Sequence, residues 1–114
     1  MPMISGAHVM IFSKDEGADR AFLRDVLDIP HIDSGGGWLI FKLPPAELGV
    51  HGGEQNDIHQ FYLMTDDLTA TLETLAAKGV EFAEPYSASW GRATSLSLPG
   101  GGKLGLYEAS HARP

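Results

Sequence analysis

Gln60-Phe-Tyr-Leu-Met-Thr-Asp-Asp67 repeats the pattern of His8-Val-Met-Ile-Phe-Ser-Lys-Asp15, 52 residues earlier. Each stretch is a short apolar run that stops at a polar residue and an aspartate. Each is followed by helix-period leucines or their equivalents. The pattern predicts strand, cap and helix, twice. A second pair of matches lies downstream. Leu43-Pro44 corresponds to Leu98-Pro99, and Leu48-Gly-Val-His51 to Leu104-Gly-Leu-Tyr107. The last match is offset by 56 residues, so the second half carries a slightly longer middle. A unit of some 50 residues cannot bury a sheet face alone. Two such units can share one curved sheet with helices outside.

The chain's limits agree with one domain built this way. It has 114 residues, of which 43% are hydrophobic and 20% charged. A chain of this length buries about two-thirds of its unfolded surface, enough for one core without staples. Fourteen glycines are many, and they follow no collagen period. They read as turns and strand ends. The chain has no cysteine, which excludes disulfides, thiolate metal sites and a thiol nucleophile. No apolar run approaches the roughly 20 residues of a membrane span. The opening residues show no basic stretch followed by a long apolar one. These features predict a cytoplasmic protein with no membrane partner. The formal net charge is −7 and the eight basic residues form no stripe, so nucleic-acid binding is not expected.

Read along the chain, the first half predicts a strand at 8–13, a helix at 17–28 ended by Pro30, and strands at 38–43 and 47–51. The helix rests on Ala18, Phe22 and Val26 at four-residue spacing, with Leu23 and Leu27 beside them. The second half predicts a strand at 59–65, then a helix capped by Asp66-Asp67 and stopped by Gly79. Leu68, Leu72, Leu75 and Ala76 form its apolar face. Strands are expected at 80–83, 90–98 and 103–108, followed by a frayed tail.

This doubled order resembles the vicinal-oxygen-chelate superfamily, which includes glyoxalase I, bleomycin-resistance proteins, fosfomycin-resistance proteins and extradiol dioxygenases. The carrying motifs are the two strand–aspartate–helix openings, Trp90-Gly91-Arg92 before a strand, and the ending Leu98-Pro-Gly-Gly-Gly-Lys-Leu-Gly-Leu-Tyr-Glu108. The resemblance covers about residues 7 to 108. It implies an α+β fold of two βαβββ modules, at about 7–52 and 58–108, curved around a cavity in a single domain spanning 1–114. It also implies a homodimer, with a cavity that can draw walls from both chains. Metal-dependent relatives bind one divalent ion with four side chains. Two lie at the start of each module's first strand, and two, usually Glu, lie on each last strand.

Carried over by residue, the first-strand ligands fall on His8 and Gln60, with His59 replacing Gln60 if the strand slips by one. The last-strand ligands fall on Gly49 and Gly105, which have no side chain. Glu47 and His51 share a strand face with Gly49 and could substitute. Glu108 lies one residue off the corresponding face and would need a bulge to turn inward. A rebuilt site from His8, His51, Gln60 or His59, and Glu108 would suit Zn²⁺, Ni²⁺, Fe²⁺ or Mn²⁺, with Glu108 or Glu47 as base. Alternation places Met10, Phe12, Tyr62 and Met64 on the cavity face, with Tyr107 beside them. Trp90 and Arg92 complete the candidate ligand pocket, with Arg92 available to an anionic group.

Three functions compete. One is a divalent-metal lyase or dioxygenase. The second is a metal-free protein that binds a drug or metabolite, as bleomycin-resistance proteins do. The third is a regulatory partner domain. The glycines at 49 and 105 motivate the second, since both leave space rather than charge.

Overall fold

Two aspartates start the two helices in the same way. Asp15 accepts a hydrogen bond from the Ala18 amide at 3.1 Å, and Asp67 accepts one from the Ala70 amide at 3.0 Å. Each supplies a partner to an amide that the first helical turn leaves free. The structure, a computed structural model, describes residues 8–114. The expected start of the first module at residue 7 lies outside them. Helix α1 (Glu16–Ala21) runs into a π-helical turn (Phe22–Val26), where the Leu27 amide reaches back to the Phe22 carbonyl. Helix α2 (Leu68–Ala77) ends at Lys78, and Gly79 turns the chain away with φ +81°.

The second module is a four-stranded mixed sheet. Its strands are β3 (Tyr62–Met64), β4 (Tyr86–Ala88), β5 (Gly91–Ser97) and β6 (Lys103–Ala109), in the order β3-β6-β5-β4. β3 runs parallel to β6, and the other neighbours are antiparallel. Helix α2 covers one face. Leu68, Leu72 and Leu75 meet Leu96, Leu98, Leu104 and Leu106 there, and Phe22 from the first half joins the same core. The i, i+4, i+7 spacing puts the three helix leucines on one stripe, and period two puts the strand leucines opposite them. Asp19 ties the halves further, since its carboxylate accepts from the Gly100 amide at 2.8 Å. The approach is close enough that a side chain at Gly100 would run into Ser13 and Asp19.

The first module departs from expectation. It forms only a hairpin, β1 (His31–Asp33) paired antiparallel with β2 (Leu39–Phe41). The stretches 8–13 and 47–51, expected as strands, belong to no ladder among the described residues. Phe12, Leu48 and Val50 are 92%, 92% and 95% exposed. A strand forms only where an edge accepts its amides and carbonyls, and no described strand pairs with these segments. β1 and β4 were not anticipated. Each has three residues, all exposed, so neither shows the in–out alternation by which a strand is read. No helix among the described residues is long and apolar enough to cross a membrane.

The core should respond accordingly. Leu68→Ala removes a side chain with no exposure and should cost about 2–5 kcal/mol by urea unfolding. Asp67→Ala should cost about 1 kcal/mol, through the lost cap.

Candidate functional site

The face of the second sheet turned away from α2 carries the candidate site. Because Leu104 and Leu106 point into the core, alternation sends Lys103, Gly105 and Tyr107 to the opposite face. Cross-strand partners share that face. Tyr107 pairs with Ala93 and Met64, Gly105 with Ser95 and Tyr62, and Lys103 with Ser97. Tyr86, opposite Ala93, extends the first of these rows. The surface therefore grades from aromatic at the Tyr107 row to hydroxyl and ammonium at the Lys103 row.

Gly105 is the hinge of this arrangement. A methyl group there would run into the Tyr62 ring, whose Cγ, Cδ1 and Cε1 atoms crowd the position. Glycine is required because the ring takes the space a side chain would fill. Four aromatic rings then form a continuous edge-to-face chain. Tyr62 and Tyr107 are 5.6 Å apart, Tyr107 and Trp90 5.7 Å, and Trp90 and Tyr86 6.0 Å, each pair inclined at 88°. Such pairs contribute about 0.5–1.5 kcal/mol each beyond the area they bury. Alongside lies an open groove of about 430 Å³, whose walls include His59, Gln60, Tyr62, Tyr86, Ser95 and Lys103. Both His59 and Gln60 border it, so the two alternatives for the strand start meet at one rim. Burial raises the hydroxyl pKa of both Tyr62 and Tyr107. Tyr86 adds to the effect at Tyr62, and the Glu47 carboxylate adds to it at Tyr107.

Glu47 lies at the Tyr107 rim but is already engaged. Arg113 Nε donates to it at 2.9 Å, and His111 Nε2 lies 3.5 Å away. The tail is not frayed. The Ser110 amide donates to the Trp90 carbonyl at 2.9 Å, and the Ser110 hydroxyl donates to the Ser89 carbonyl at 2.9 Å. Sequence reading missed this because Ala109–Pro114 has no periodicity and its partners lie far back in the chain.

Two expected site residues face the other way. Glu108 Oε1 accepts from the Leu68 amide at 2.9 Å, so this carboxylate caps α2. Arg92, its cross-strand partner, donates to the Thr69 hydroxyl at 3.2 Å. The β5–β6 ladder is unbroken from Gly91–Ala109 to Ser97–Lys103, and no bulge rotates either residue into the groove. His8, Met10, Phe12 and His51 are exposed and do not line it. No group of three or more His, Asp or Glu among the described residues could hold a metal ion. The donor set expected from His8, His51, Gln60 or His59, and Glu108 does not converge in one chain. Those residues do not fit a divalent ion.

Gly105→Ala should destabilise the fold by about 1–3 kcal/mol through overpacking. Adding Tyr62→Ala should recover most of that loss, which a double-mutant cycle measures. The raised tyrosine pKa values set a further expectation. Their neutral forms are favoured in the folded state, so this contribution to stability is complete below the ordinary tyrosine pKa. It is lost as pH rises through the raised folded values. Tyrosinate absorbance should show Tyr62 and Tyr107 titrating later in the folded chain than in urea.

No family model matches the sequence, and no curated protein matches it at a significant level. Solved structures do match. TnmS3, an antibiotic binding protein from Streptomyces sp. CB03234, superposes with a TM-score of 0.66 at 23% identity, covering 94% of this chain and 99% of that one. A glyoxalase/bleomycin resistance protein/dioxygenase superfamily member from Sphaerobacter thermophilus gives 0.63 at 26% identity, covering 94% and 99%. A lactoylglutathione lyase from Agrobacterium tumefaciens gives 0.62 at 15% identity, covering 90% and 94%. By these superpositions the chain has the α+β fold of the glyoxalase/bleomycin resistance protein/dioxygenase superfamily, the vicinal-oxygen-chelate proteins.

Proposed function

We propose that this chain is a metal-independent binding protein for a small aromatic molecule, working as a homodimer. The observation that carries the reading is the Tyr62 ring packed against Gly105. At the position where metal-dependent relatives place a carboxylate, this chain has the side of an aromatic ring. The groove beside it is walled by tyrosine, glutamine and serine. An apolar and aromatic wall with a few polar points is the usual make-up of a small-molecule pocket. A solved protein of this fold is an antibiotic binding protein, which is consistent with such a role. The lyase or dioxygenase reading lacks the donor set it would need, since Glu108 is spent on α2 and Glu47 on the tail.

The homodimer rests on the unladdered segments. The stretch 9–12 and Leu48 and Val50 are apolar and exposed, more than scattered surface residues require. A second copy would offer edges to which their amides can pair. Light scattering should return about twice 12.2 kDa. The double variant Leu48→Asp, Val50→Asp should return the mass of one chain. Both side chains lie outside the core, so that variant should still fold.

Binding is tested by thermal shift against planar aromatic metabolites and antibiotics, in chelator and again with added zinc. A ligand at a hundredfold excess over its Kd should add about 2.7 kcal/mol of stability, or roughly 10 °C in Tm. The shift should be the same with and without metal, and Trp90→Ala should weaken it by about tenfold or more. A panel that shifts nothing, or shifts only with metal, overturns the reading.

A further inference from the structure

We infer that the aromatic ligand of this groove carries a negative charge, held by Lys103 with the hydroxyls of Ser95 and Ser97. The inference rests on the binding role proposed above and names the ligand's charge.

Lys103, Ser97 and Ser95 share the groove face by register: Lys103 is opposite Ser97, and Ser95 is opposite Gly105. Lys103 also lines the groove itself. It is the only groove-lining residue with a formal charge at neutral pH, and no carboxylate lines the groove. Glu81 stands opposite Ser97 across the next strand, where the Ser97 amide donates to its carbonyl at 2.9 Å, and it borders the adjoining hollow with Lys103, Ser95 and Ser97 without pairing with the ammonium. None of the ion pairs among the described residues involves Lys103. By contrast, Arg24, Lys78 and Arg113 all have carboxylate partners, and Arg92 is bonded to Thr69. An acidic chain thus keeps an uncommitted ammonium at one end of an aromatic groove.

Strand geometry sets the ligand's dimensions. At about 3.4 Å per residue, the Lys103 row lies roughly 7 Å from the Gly105–Tyr62 row and about 14 Å from the Tyr107 row. One or two fused rings against Tyr62 would place an attached carboxylate beside Lys103. The hydroxyls of Ser95 and Ser97 can donate to a carboxylate oxygen, and an ammonium can donate three bonds. A cationic ligand would meet the same ammonium as a repulsion. The ligand class is therefore an aromatic carboxylate or a comparable aromatic anion.

The test uses three isosteric probes on the intact protein: 2-naphthoate, 2-naphthamide and 2-naphthylmethylammonium, titrated by calorimetry. The acid should bind about tenfold more tightly than the amide, and the ammonium more weakly than either. In Lys103→Gln the ratio of acid to amide affinity should fall to within about twofold, and Lys103→Arg should retain most of it. Lys103 is exposed, so these variants should melt like the parent, and a matched melting curve confirms that they do. An acid no tighter than its amide, a preference for the ammonium, or a ratio unchanged in Lys103→Gln overturns the charge assignment while leaving the aromatic groove standing. If none of the three probes titrates, the binding role falls and the charge assignment falls with it.

Discussion

The packing of Tyr62 against the bare backbone of Gly105 organises the open face of the second sheet. With no β-carbon at 105, the ring can lie against β6 and meet Tyr107 edge-on. Tyr107 in turn meets Trp90, and Trp90 meets Tyr86. Any side chain at 105 would push the first ring away and loosen the series. The same contact decides what chemistry the position can host. At 105 the chain presents a hydrocarbon surface, and a cation there would be desolvated against a ring without an anionic ligand.

That arrangement depends on register, and register depends on the leucine core. Leu96, Leu104 and Leu106 are buried beneath α2. A slip of one residue would expose them and send Lys103, Gly105 and Tyr107 inward. The cost of such a slip, several buried leucines at about 1.5–3 kcal/mol each, far exceeds anything the groove residues contribute. Hydrophobic burial on one face thus fixes polar and aromatic placement on the other. Glu108 works on the core side of the same strand, where its carboxylate supplies the free Leu68 amide at the start of α2.

Much of this was legible in the residues, wherever a period or a cap carried it. The leucines of α2 and the alternation along β6 assign their faces by spacing alone, and Asp15 and Asp67 mark both helix starts. Alternation also put Tyr62 and Tyr107 on one face. The rest lay in contacts that no local pattern encodes. β1 and β4 are short and wholly exposed, so hydrophobicity does not mark them. The π-helical turn at Phe22–Val26 keeps nearly the same apolar spacing as an α-helix. The stretches 8–13 and 47–51 have strand composition but pair with no strand among the described residues. Whether an apolar strand is paired depends on its neighbours, which composition does not name. By spacing Glu108 lies one residue off the face of Tyr107 and needs a bulge to reach a ligand, and Arg92 is a candidate by its charge alone; the unbroken ladder keeps both on the helix side.

The most direct measurement isolates Trp90, which lies in the aromatic series. The chain has two tryptophans. Trp38 lies elsewhere, with the Arg20 guanidinium over its ring at 4.9 Å. A Trp38→Phe variant therefore reports from Trp90 alone, in the aromatic series beside the groove. Its fluorescence should change saturably on titration with an aromatic acid, with the same midpoint in chelator and in added zinc. A signal that never changes, or that changes only when metal is supplied, would contradict the account.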